Sequence, residues 1–238
     1  RVVRDACEAG ANIIITGAGI PTNMPEFTKN FPDVALVPIV SSARALKLIC
    51  KKWQRYNKIP DAVIVEGPLS GGHQGFKYED CYKEEFQLEN IVTPVIEEAK
   101  NWGDIPVIAA GGVWDKKDID KFIALGCAGV QMATRFIGTF ECDADDKFKD
   151  VLLNAKEDDI ILMSSPVGLP ARGVKSNCVA PCNRGTEAKI VGYCIADRLG
   201  AAYKGDVETG LFFSGSNGYK IDKIISVKEL MEKLTKGE

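Results

Sequence analysis

The single histidine of this 238-residue chain, His73, lies in Gly71-Gly72-His73-Gln74-Gly75, just beyond the apolar run Ala62-Val63-Ile64-Val65 and the pair Glu66-Gly67. Imidazole titrates near neutrality, and flanking glycines let the backbone approach a ligand closely, so this placement at a strand tip suits a proton-transfer residue. The alternative is a histidine in a flexible turn. A second chemistry is written further along. Ile105-Pro106-Val107-Ile108-Ala109-Ala110 runs into Gly111-Gly112, and Gly129-Val130-Gln131-Met132-Ala133 runs into Thr134-Arg135. Strand ends carrying Gly-Gly and Ala-Thr leave backbone N–H groups unobstructed for a phosphate. The competing reading is that Gly111 and Gly112 merely form a tight strand-to-helix turn.

The elements that must position these residues follow a repeating order. Five apolar runs read as strands: Asn12 to Thr16, Val34 to Ile39, Asp61 to Val65, Pro106 to Ala110 and Gly129 to Ala133. Each is followed by Gly, Ser or Asn and then a helical pattern, such as Ser42 to Trp53, or Lys116 to Leu125 closed by Gly126. Strands apolar on both faces belong in a parallel sheet covered by helices, so the class is α/β. A closed (β/α)8 barrel of the TIM type needs eight such units in roughly 250 residues. Residues 138–238 do not supply three more, because Ile160-Ile161-Leu162-Met163 and Leu211-Phe212-Phe213 are short and irregularly connected. The first residues, Arg1 to Gly10, read as a helix already under way that closes on Gly10. The expectation is therefore the C-terminal five strand-helix units of a TIM-type barrel in residues 1–140, with a helical or irregular extension packing on it in residues 141–238. An open five-stranded sheet is the alternative.

Composition narrows the classes. With 45% hydrophobic and 26% charged residues the chain can bury a sizeable core as a globular protein. A formal net charge of −3 with scattered Lys and Arg gives no nucleic-acid surface. No apolar run approaches the roughly 20 residues that span a bilayer, so the expectation is a cytoplasmic protein without membrane partners. Eight cysteines are mostly dispersed, and Cys178, Cys182 and Cys194 lack a second histidine to complete a metal set. They read as reduced thiols or a local redox pair, with no metal expected.

Val65-Glu66-Gly67-Pro68-Leu69-Ser70-Gly71-Gly72-His73, then Ile108-Ala109-Ala110-Gly111-Gly112, then Gly129-Val130-Gln131-Met132-Ala133-Thr134-Arg135-Phe136 resemble the nitronate monooxygenase family, once called 2-nitropropane dioxygenases, which are FMN-dependent TIM barrels. The resemblance runs from about Asn12 to Phe136 and more loosely through Ser165-Pro166-Val167-Gly168. It implies that His73 is the active-site histidine facing the flavin, that Gly71, Gly72 and Glu66 lie near FMN, and that Gly111, Gly112, Gln131, Met132, Ala133 and Thr134 hold its phosphate. Ala133 departs from the family, many members of which have Gly before the Thr. Flavin-dependent enoyl-acyl-carrier-protein reductases share the Gly-Gly-His element and the phosphate loops, so they remain an alternative. A non-flavin phosphate-binding barrel and a non-catalytic fragment are two more.

The chemistry suits the residues. A nitroalkane or its nitronate anion presents an acidic carbon and two oxygens, which asks for a base or hydrogen-bond donor beside a two-electron acceptor. The expected partners are a small-molecule substrate and oxygen, with oligomeric state, a homo-oligomer included, left open.

Overall fold

The computed structural model describes residues 1–165, 169–177 and 194–237. The chain divides into two compact units that interleave along the sequence: residues 1–67, 84–110 and 120–131 form the first, and residues 68–83, 111–119 and 132–238 the second.

The first unit is built on β1 (Ile13–Thr16), β2 (Ala35–Val40), β3 (Val63–Glu66), β5 (Val107–Ala110) and β6 (Gly129–Gln131), all parallel and adjacent in that order. The five strands read from the sequence are thus present, with ends within two residues. Val63, Ile64 and Val65 are all buried, as are Leu36, Val37 and Val40 beside them, which is the both-faces burial that parallel pairing demands. At the sheet edge Ile13 and Ile15 of β1 stay about half exposed. The helices of this unit show why their segments coil. α1 (Val2–Glu8) ends in the left-handed Gly10, and α2 (Met24–Phe27) carries Pro25 in its first turn. In α3 (Ala43–Trp53) the Ser42 hydroxyl accepts from Ala45 N at 3.3 Å, and Leu46, Ile49, Cys50 and Trp53 repeat at helical spacing to bury one face. Trp53 Nε1 donates to Pro21 O at 2.7 Å, so even the largest core side chain has its polar atom paired. α4 (Leu88–Lys100) buries Leu88, Ile91, Val92, Val95 and Ala99. α5 (Lys116–Ala124) buries Phe122 and stops before Gly126, whose φ of +101° is the helix-ending conformation expected from sequence.

The second unit has a different sheet. β4 (Gly72–His73), β8 (Pro170–Val174) and β7 (Ile160–Ser164) form a small antiparallel ribbon in the order β4-β8-β7. The Ile160 run is one arm of a hairpin, while Leu211-Phe212-Phe213 is not a strand and makes a single bridge, Phe213 to Gly173. Gly173 has to be glycine because a Cβ there would stand 2.3 Å from Phe212 O. The helices of this unit include α6 (Thr134–Ile137), α7 (Asp146–Leu153), α8 (Cys194–Tyr203) and α9 (Val227–Lys236). Leu152, Val174, Ala202, Phe212 and Ile221 form one core cluster, with Phe148 tilted on Phe212 at a centroid distance of 5.0 Å. Ile225, Leu230 and Leu234 form another. Among the described residues no helix is long and apolar enough to cross a membrane, no cluster of His, Cys, Asp and Glu is set to hold a metal, and Cys7, Cys50, Cys81, Cys127 and Cys142 are free thiols. Residues 166–168, Cys178, Cys182 and the side chain of Cys194 lie outside the described residues.

Candidate active site

His73 stands on a strand and not in a flexible turn. Gly72 and His73 pair with Arg172 and Ala171 of β8, and the next residue continues the ladder, with Gln74 N donating to Pro170 O at 2.8 Å. Gln74 then staples the loop to itself: its Nε2 donates to Ser70 O at 2.8 Å and to Gly72 O at 3.1 Å. The left-handed φ of Gly72, +76°, lets the chain make this turn, with the Phe213 ring in van der Waals range, 3.4 Å from where a Cβ would stand.

The imidazole is held from two sides. Its Nε2 lies 2.8 Å from Ser165 Oγ, across the hairpin, and its ring meets Phe213 edge to face at 5.4 Å and 79°. Burial pushes the His73 pKa below the ordinary imidazole value. The lowered value favours the neutral ring, and in the tautomer whose Nε2–H donates to Ser165 Oγ the unprotonated Nδ1 is the proton acceptor.

The phosphate-type strand ends meet on one short segment. Asn217 Nδ2 donates to Gly112 O at 2.7 Å, and Gly215 N donates to Thr134 Oγ1 at 2.9 Å. Ser216 N donates to Leu69 O at 3.0 Å, and a Cβ on Gly71 would stand 2.7 Å from Gly215 N and from the carbonyl carbon of Ser214. Residues 213–217 therefore seam the histidine loop to the Gly112 and Thr134 turns. Gly111 and Gly112 both have left-handed φ, +94° and +88°. The N–H groups of Gly112 and Ala133 make no hydrogen bond among the described residues, and Thr134 accepts from Gly215 while its hydroxyl proton stays free to donate. Two unused backbone donors, one hydroxyl and glycines without side chains make a donor set that suits a phosphate.

Of the ten residues singled out from the sequence, His73, Gly71, Gly72, Gly111, Gly112, Met132, Ala133 and Thr134 belong to the second unit, and Glu66 and Gln131 to the first. Met132 turns its side chain into the Ile225, Leu230 and Leu234 cluster, which leaves only its backbone for a ligand. Glu66 and Gln131 close β3 and β6, the two strands that flank β5, at one level, each in register with Ala110. Burial pushes the Glu66 carboxyl up to about 7. Sequence reasoning gave no site role to Ser165, which it placed only in the looser part of the resemblance, or to Arg172 and the 213–217 segment. Only the last carried a usable signal, the turn-forming run Ser214-Gly215-Ser216-Asn217-Gly218 directly after an apolar stretch.

The family model for nitronate monooxygenase matches residues 1–237, the whole of the sheet and the whole of the site just described. The chain belongs to the nitronate monooxygenase family. A probable nitronate monooxygenase of Staphylococcus aureus, found in several strains, is 31% identical over 164 residues, covering 66% of this chain and 45% of that protein. The chain thus spans less than half the length of the curated relatives it matches. Among solved structures, FabK from Thermotoga maritima superposes with a TM-score of 0.80 at 28% identity, covering 99% of this chain and 70% of that one. Nitroalkane oxidase from Streptomyces ansochromogenes shares the fold with a TM-score of 0.73 at 22% identity, over 98% of this chain and 65% of its own. The fold of this nitronate monooxygenase family member is α/β of the TIM-barrel type, and β1, β2, β3, β5 and β6 are consecutive staves of it.

Proposed function

We propose that this chain carries the FMN-binding and proton-transfer machinery of an oxidoreductase that oxidises nitronates, and the nitroalkanes they derive from, with molecular oxygen. The observation that carries the reading is the 213–217 segment, which holds the His73 loop and the Gly112 and Thr134 turns in one place. Gly112 and Ala133 N–H and the Thr134 hydroxyl would bind the FMN phosphate. FMN, when bound, supplies the two-electron chemistry and its reoxidation by oxygen.

What the chain's own residues do is move and hold protons. A neutral His73, with one nitrogen engaged by Ser165, takes the proton from the carbon beside a nitro group and leaves a nitronate. The resulting imidazolium then faces the anion it has just made, which favours retention of the nitronate. Phe213 and the ribbon exclude water from one side of the ring. Because the base must be unprotonated, turnover of a neutral nitroalkane falls along an acid limb as His73, its pKa lowered by burial, becomes protonated. Turnover of the preformed nitronate does not follow that limb.

The test is His73→Asn in the flavin-loaded protein. Activity on the neutral nitroalkane should fall roughly 10²- to 10⁴-fold, the usual contribution of a general base. Flavin content and much of the activity on preformed nitronate should survive. Equal losses on both substrates would remove the base role. Anaerobic bleaching of the flavin by NAD(P)H but not by nitronate would replace nitronate oxidation with reduction of an enoyl thioester.

A further inference from the structure

Arg172 is a guanidinium in the wrong place for a surface charge. Only 7% of it is exposed, and no acidic side chain pairs with it among the described residues. A buried cation without a counterion is costly, so its hydrogen bonds must do something the fold needs. Both Nε and Nη2 converge on one acceptor, Pro68 O, at 3.3 and 3.0 Å. Pro68 opens the loop that leads through Leu69, Ser70 and Gly71 to His73.

The backbone of the same residue is equally engaged. Arg172 pairs with Gly72 of β4 on one side and with Leu162 of β7 on the other, and its carbonyl accepts from Ser214 N at 3.4 Å. Cross-strand partners share a face, so His73 and Ala171 project from one face of the ribbon and Arg172 from the other. On that far face the titratable groups beside it are Cys81, Tyr82 and Tyr78, and Tyr78 Oη donates to Leu162 O at 3.1 Å. Arg172 thus starts from the face opposite the imidazole. It can fix both ends of the loop that carries the imidazole.

The geometry points to Arg172 as the positioning residue of the histidine loop: from behind the ribbon its guanidinium clamps the Pro68 carbonyl and thereby sets the distance and orientation of His73 toward Ser165. The inference rests on the reading of His73 as the proton-transfer residue, but its first test does not need turnover.

His73 is the only histidine of the chain, so its Cε1–H resonance can be titrated by NMR without ambiguity. Burial is the cause of its lowered pKa and the Arg172 charge is not among the causes, so a shift reports movement of the ring toward water. Arg172→Lys keeps the charge and Arg172→Gln keeps the polarity, and neither can make the two-nitrogen clamp. In both variants the His73 pKa should rise by about half a unit or more toward the ordinary value as the ring gains hydration. In the flavin-loaded protein, kcat on a neutral nitroalkane should fall about 10- to 100-fold with little change in KM, as misplacement of a catalytic group does. Folded variants whose His73 titrates as in the parent overturn the proposal, whatever their melting temperature. So does loss of the fold in both, which would make Arg172 a structural residue. If the parent turns over no nitroalkane, the functional reading fails while the NMR titration still decides the clamp.

Discussion

The two units of this protein reach order by opposite routes. In the first, five parallel strands are continuous apolar runs, and their pairing follows from burying Val63, Ile64, Val65, Leu36 and Val37. In the second, the ribbon that holds the candidate His73 includes only two residues of β4, and its order comes from particular hydrogen bonds, Gln74 to Ser70 and Pro170 and Arg172 to Pro68. Apolar burial is non-directional and tolerates small shifts, whereas a proton-transfer residue must hold its partner to a fraction of an ångström.

Breaking the first unit should cost the most stability and the least specific function. Leu46→Ala, at a wholly buried site in α3, should lower unfolding free energy by about 2 to 5 kcal/mol, measured by chemical denaturation. Flavin bound per folded molecule should hold. A Leu46→Ala protein that folds but no longer retains flavin would erase the contrast between the units.

Gly71→Ala should do the reverse. The added methyl would press on the backbone of Ser214 and Gly215 at 2.7 Å, where no flexible side chain can give way. A stability loss of about 1 to 3 kcal/mol is expected from overpacking. The larger effect should be on flavin content and on turnover, since the seam between the histidine loop and the phosphate turns is what opens. Retention of stoichiometric flavin by Gly71→Ala would show that the seam does not serve the cofactor.

The smallest effect sharpens the comparison through pH. The Glu66 carboxyl has a folded pKa raised from 4.5 to about 7 by burial, so the folded state binds a proton that the unfolded state releases between those values. Its ionisation therefore costs stability progressively as pH rises from 4.5, and fully above 7. Glu66→Gln should raise the melting temperature of the apoprotein at pH 8 and leave it unchanged near pH 4. A variant less stable at pH 8 would mean the carboxylate is paired, and that this strand end is already a polar site.

The parallel strands, the helical pattern from Ser42 to Trp53, the helix stops at Gly10 and Gly126, and the chemical candidates His73, Gly112 and Thr134 were legible in the sequence. Each is a local matter: apolar periodicity, residue type, or a glycine where φ must be positive. What only tertiary structure decided is non-local. A two-residue strand has no periodicity to read, and β4 exists because β8, nearly a hundred residues later, supplies its partner. The 213–217 segment, Ser165 beside His73, the inward turn of Met132 and the Arg172 clamp are likewise contacts between distant stretches of chain. Candidate residues for the chemistry can be named from sequence, because residue type and local spacing are written in it. Their assembly was decided by the fold, because hydrogen bonds between segments so far apart leave no mark on either segment alone.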